Sequence, residues 1–108
     1  MAGLNCSMPC ASAWEILNTC AAGGFACSDE VTCEGMRLLA KADPVSGSGP
    51  VISGESGAVT TGLLNRLLTE PEYESIRRIL KLGRDSTVLL FSTEGDTDPE
   101  NYRRITSK

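Results

Sequence analysis

Only two stretches of this chain read as β-strand, VIS (51–53) and VLLFS (88–92), and that shortage limits what it can fold into. Each is a short apolar run without alternation, the pattern of a strand covered on both faces. Two strands do not complete a sheet layer, and an isolated pair buries too little surface to be stable alone. The chain therefore either closes its sheet by oligomerising or is a piece of a larger protein.

Helical spacing accounts for most of the remainder. Residues 1–11 carry no period and read as a lead-in loop. From Ser12, a plausible N-cap, the apolar positions Ala13, Trp14, Leu17, Cys20 and Ala21 recur at helical intervals, and Gly23-Gly24 stops the run. Ser28-Asp29-Glu30 resembles a cap with an acidic first turn, and Val31, Gly35, Leu38, Leu39 and Ala42 supply the inner face of a second helix. DPVSGSGP (43–50) is a turn-rich break.

A third helix is expected from about Glu55 to Thr69, with Val59, Leu63, Leu64, Leu67 and Leu68 on one face. A fourth opens at Pro71, carries Tyr73, Ile76, Ile79 and Leu80, and ends at Gly83. Asp98-Pro99-Glu100 caps a fifth through Asn101–Ile105. The order predicts an α/β fold: a partial three-layer αβα fragment with two short parallel strands and about five helices. The chain is a single domain over 1–108, of which 12–108 form the α/β piece.

Charge narrows the partners. A net charge of −4 with no histidine argues against nucleic acid or an anionic membrane surface. No apolar run approaches the ~20 residues of a membrane span, and the first ten residues lack a secretion-signal pattern, so the expectation is a cytoplasmic protein. The five cysteines at 6, 10, 20, 27 and 33 have neither paired CxxC spacing nor histidines, so no metal site is expected. They read as reduced thiols, with one disulfide among the loop cysteines left open. Without histidine, chemistry must come from carboxylates, hydroxyls, thiols or a cofactor.

Both strand-like runs end alike: VIS passes into GES, and LLFS into TEGDTD. In open α/β sheets, ligands sit beyond the carboxyl ends of parallel strands. Were the runs neighbours, Gly54, Glu55, Ser92, Thr93 and Asp96 would share one crevice, the glycine letting backbone approach a flat ligand. Each has a plainer role beside this one. Glu55 complements a helix dipole, Ser92 and Thr93 are turn residues, and Asp96 and Asp98 serve turns or caps.

The stretches GPVISGESGAVTTGLL (49–64) and VLLFSTEGDTDPENYRRI (88–105) resemble the C-terminal part of the diaminopropionate ammonia-lyases, as does AGLNCSMPCASAWEIL (2–17). The resemblance runs from Ala2 to Ile105, and FSTEGDTDPE is its most specific part. These are pyridoxal-phosphate enzymes of the tryptophan-synthase-β fold type. The resemblance implies elimination of ammonia from 2,3-diaminopropionate to give pyruvate and further ammonia. It implies that the hydroxyl of Ser92 or Thr93 meets the cofactor's pyridine nitrogen, that Glu55 lies near the ring, and that the Gly54 backbone passes close by.

The family also needs a Schiff-base lysine and a Gly-rich phosphate loop. Lys41, Lys81 and Lys108 lie in no matching context, and SGSG (46–49) precedes a strand-like run instead of joining strand to helix. No catalytic residue is therefore assigned. The expectation is a C-terminal fragment whose partners are the remainder of its own polypeptide and a small amino-acid substrate. It would be inactive and would not bind pyridoxal phosphate alone. The alternative is a stand-alone binding or interaction module that homodimerises.

Overall fold

The computed structural model describes residues 1–41 and 43–108, so Ala42, assigned to the inner face of the second helix, lies outside the described residues. Five α-helices follow in order: α1 (Ala11–Cys20), α2 (Asp29–Leu39), α3 (Glu55–Thr69), α4 (Glu74–Ile79) and α5 (Pro99–Thr106). Short 3₁₀ turns at Ala2–Leu4 and Pro71–Tyr73 complete the regular structure among the described residues.

The centre is the crossing of α2 and α3. A Cβ on Gly35 would stand 2.0 Å from the Ala58 carbonyl oxygen, and one on Gly62 would stand 1.9 Å from that of Val31. Only glycine at both positions lets the backbones meet this closely. Val31, Met36, Ala58, Val59, Leu67 and Ile105 are buried around the crossing. Met36, Ala58 and Ile105 form one cluster, against which Cys33, Leu39 and Tyr102 pack. The rim is polar: Glu34 of α2 accepts from Asn65 Nδ2 (2.6 Å) and Arg66 Nε (2.8 Å) of α3.

The other elements hang on this pair. Helix α5 packs on α2 through Ile105 and Tyr102, and Arg37 Nε donates to the Ile105 carbonyl at 3.1 Å. Helix α4 lies on α3, and Arg77 of α4 donates to the Leu67 and Glu70 carbonyls at the C-terminal end of α3. Among the described residues, α1 packs against no other helix, and its Trp14 is 58% exposed.

The α/β expectation fails: no strand forms among the described residues, so neither two parallel strands nor an αβα layering is present. The two runs approach each other only at their ends, where the Gly54 amide donates to the Glu94 carbonyl at 2.8 Å. One such bond is not a ladder. The Val51 amide turns away to the Leu39 carbonyl, and Leu89 and Phe91 stand 75% and 71% exposed. The apolar runs indicate segments built to be covered, yet only Ser53 is buried and Leu90 half-buried, while Val51, Ile52, Val88, Leu89 and Phe91 remain exposed.

Helix ends differ from the expectation in detail. Cys10, not Ser12, is the N-cap of α1. The expected fourth helix splits into the 3₁₀ turn and α4, which ends before Gly83. Lys81 closes it in the left-handed region (φ 53°), with Leu82 N–H donating to Arg77 O and Lys81 N–H to Arg78 O. Asp98 is the N-cap of α5, its carboxylate accepting from the Asn101 amide.

The N-cap of α3 is Gly54, which has no side chain to offer. Glu94, remote in sequence, does the capping: its Oε2 accepts from the Ser56 amide at 2.9 Å and its Oε1 from the Thr97 hydroxyl at 3.0 Å. The Ser56 amide first, then the Thr97 hydroxyl, hold the Glu94 carboxyl below the usual carboxylate range, against a smaller opposing effect of burial.

Two substitutions test this framework. Gly62→Ala forces the helices apart, and urea denaturation is expected to show a loss of about 1–3 kcal/mol; an unchanged midpoint would mean the crossing is looser than described. Glu94→Ala removes the remote cap and is expected to cost about 1 kcal/mol at neutral pH. Because the folded carboxyl titrates below its unfolded value, this contribution is complete above the usual carboxylate range and disappears as pH falls through the folded value. Wild-type and variant stabilities should therefore converge in acid; a constant gap down to the lowest pH would contradict the capping role.

Candidate functional site

The site is assembled where the N-terminus of α3 meets the loop preceding α5. A cleft of about 210 Å³ opens there, lined by Gly54 and Glu55 on one side, by the 94–98 loop on the other, and by Asn101, Tyr102 and Met36. Gly54 makes the approach feasible, since a Cβ there would lie 2.4 Å from the Gly95 carbonyl oxygen.

Glu55 occupies the first turn of α3, where the helix dipole favours negative charge. It also reaches beyond its own helix. Its Oε1 accepts from Asn101 Nδ2 at 3.0 Å and its Oε2 from the Met1 amino group at 2.5 Å. The Met1 ammonium first, and the Asn101 amide after it, hold its carboxyl below the usual range against the opposing effect of burial. Glu55 is thus a fixed anion on the cleft wall, facing Glu94, Asp96 and Asp98.

The hydroxyls lie apart from that wall. Ser92 Oγ donates to Ser53 Oγ at 2.8 Å, and Ser53 is fully buried while Ser92 is exposed. This pair sits over Gly57, where an added Cβ would meet Ser53 Oγ at 2.6 Å, Ser92 Oγ at 3.0 Å and the Thr93 amide nitrogen at 3.2 Å. Of the five sequence candidates, Gly54, Glu55 and Asp96 therefore share one cleft, and Ser92 and Thr93 stand together behind the first turn of α3.

Glu94, Ser53 and Asn101 were not singled out in the sequence. Glu94 caps a helix that begins 39 residues earlier, so no local spacing reveals it. Asn101 had a signal, since it lies three residues after a capping aspartate on the face that α5 turns toward α3. Ser53 reads as the polar end of an apolar run, and only its burial shows that it is a partner for Ser92.

Among the described residues, no group of three histidine, cysteine or acidic side chains is arranged to hold a metal. No helix is long and apolar enough to cross a membrane. Cys6, Cys10 and Cys20 are exposed and Cys27 and Cys33 half-buried, all five as free thiols.

No family model matches the chain. Individual relatives do. Diaminopropionate ammonia-lyase of Escherichia coli (strain K12) is 44% identical over 105 residues, which cover 97% of this chain and 26% of that protein. Its counterpart in Salmonella typhimurium (strain LT2) is 39% identical over the same share. Among solved structures, the Escherichia coli enzyme in complex with D-serine superposes with a TM-score of 0.88 at 43% identity, over 98% of this chain and 27% of that one. The same enzyme in complex with an aminoacrylate–PLP azomethine reaction intermediate gives a TM-score of 0.86. The chain spans about a quarter of the length of these relatives. Along nearly its whole length, it is homologous to that quarter of diaminopropionate ammonia-lyase.

Proposed function

We propose that this chain is the C-terminal part of a cytoplasmic, pyridoxal-phosphate-dependent ammonia-lyase acting on 2,3-diaminopropionate, that it forms one wall of the cofactor site, and that it is inactive alone. The observation that carries the proposal is the match of 98% of the chain, at 43% identity, to 27% of a lyase whose structure was solved with a PLP-derived intermediate. The exposed side chains of Val51, Ile52, Val88, Leu89 and Phe91 support it, because a segment removed from its covering layers leaves surfaces of this kind.

The residues present fit one edge of the cofactor and not its phosphate end. The cleft carries four carboxylates, and a glutamate already occupies the N-terminus of α3, the usual place for a phosphate. Lys41, Lys81 and Lys108 are all absent from the cleft lining. Phosphate contacts and the covalent lysine belong to the remainder of the polypeptide.

Bound pyridoxal phosphate supplies the electron sink for elimination. Against it, this chain contributes position and charge. The Ser92 hydroxyl, with Thr93 beside it, would offer a neutral donor to the pyridine nitrogen by turning its proton away from Ser53 Oγ, 2.8 Å away, which would then hold the Ser92 oxygen as a donor in its turn. A neutral partner leaves the nitrogen largely unprotonated and the sink moderate. Gly54 lets the 94–95 loop close against the start of α3, and Glu55 presents a negative charge at the cleft.

A chimera with residues 1–108 in place of the corresponding quarter of the Escherichia coli enzyme is expected to release pyruvate from 2,3-diaminopropionate. The isolated chain mixed with pyridoxal phosphate should show neither turnover nor a stable visible band. A folded, cofactor-loaded chimera without activity would overturn the proposal. So would a visible band in the isolated chain that is lost on replacing Lys41, Lys81 or Lys108, or a tight, well-folded homodimer at low concentration.

A further inference from the structure

Asn101 is the point at which α5 touches the proposed cofactor wall, and its chemistry allows only one arrangement. On one side stands Glu55, an ionised carboxylate that accepts hydrogen bonds and cannot donate. On the other stands the Arg104 guanidinium, which donates and cannot accept: its Nη2 lies 2.6 Å from Asn101 Oδ1. An asparagine between a pure donor and a pure acceptor must turn its oxygen to the first and its nitrogen to the second. The Asn101 N–H therefore has to point at Glu55 Oε1, 3.0 Å away.

The backbone beneath is equally constrained. The Asn101 amide donates to Asp98 Oδ1 at 3.1 Å, Ile105 and Tyr102 anchor α5 in the core, and Arg37 holds the Ile105 carbonyl. We propose that Asn101 and Arg104 are positioning residues for Glu55: the guanidinium fixes the amide, and the amide fixes the carboxylate at the cleft wall. Its consequence for the enzyme rests on the cofactor-wall function proposed above. The polarised chain, guanidinium to amide to carboxylate, strengthens each link. It keeps Glu55 charged and immobile beside a cleft that holds three further carboxylates.

The other charges facing Glu55 are the Met1 amino group at 2.5 Å, Asp29 at 3.8 Å beyond that group, and Glu94, Asp96 and Asp98 across the cleft. The test must separate Asn101 from these. A site-resolved carboxyl NMR titration of Glu55 in the 108-residue chain does so. Asn101→Ala removes the donor, the isosteric Asn101→Asp replaces it with an acceptor, and Arg104→Met, at an exposed position, frees the amide to turn without disturbing the core. The Glu55 midpoint is expected to move upward in all three, most in Asn101→Asp, while Arg104→Lys restores wild-type behaviour.

The Asn101→Ala shift should persist after the Met1 amino group is acetylated. An unchanged midpoint in Asn101→Asp or in Arg104→Met would overturn the proposal, as would a shift that vanishes on acetylation. The titration needs no cofactor, whereas the chimera reads the cofactor wall, so the two proposals fail separately.

Discussion

The close crossing of α2 and α3 is the contact on which everything else in this chain depends. With no side chain at Gly35 or Gly62, backbone meets backbone, and the apolar residues around the crossing close over it. The contact is short-range and steric, so it tolerates almost no change in volume. The Glu34–Asn65–Arg66 cluster finishes its edge with polar bonds that water would otherwise supply.

From that crossing the site follows by extension. Helix α3 carries its N-terminus to Gly54 and Glu55, and α2 provides the surface on which Ile105 and Tyr102 seat α5. Helix α5 in turn sets Asn101 against Glu55. The 94–98 loop is pinned at both ends, by the Glu94 cap on α3 and by Asp98 at the start of α5. A cleft between a helix start and a doubly held loop is thus a product of packing some distance away. Lys41, Lys81 and Lys108 all lie outside its lining.

The sequence revealed most where structure is locally determined. The spacing places helix α3 at about its observed bounds and Asp98-Pro99 opens α5, because periodicity and capping act within a few residues. Of the inner face expected for α2, Val31 and Gly35 are buried and Leu39 half-buried, but Leu38 is 38% exposed and Met36 takes the core position instead. The strands were misread for the opposite reason. VLLFS has the composition of a covered strand, but a strand is a pairing, and the apolar run cannot state whether its partner belongs to the same chain. In the site, Glu55 and Asp96 could be placed near one cleft from their positions at the ends of the runs, whereas the Glu94 cap and the Ser53–Ser92 pair arise from contacts across nearly forty residues. Lys81 shows the same limit on a small scale: a left-handed residue closes α4 where the neighbouring Gly83 looked the natural stop.

One closely packed helical crossing is thus surrounded by segments that leave apolar side chains exposed. Amide hydrogen exchange of the isolated chain tests this most directly, because protection follows local packing and not overall composition. The slowest-exchanging amides should lie in α2 and α3 around Gly35 and Gly62, with those of α5 near Ile105 next. Helix α1 and residues 87–92 should exchange at rates close to those of an unfolded peptide. Protection of α1 or of the 87–92 run equal to that of α3 would show that the chain completes its own core, and would contradict the account.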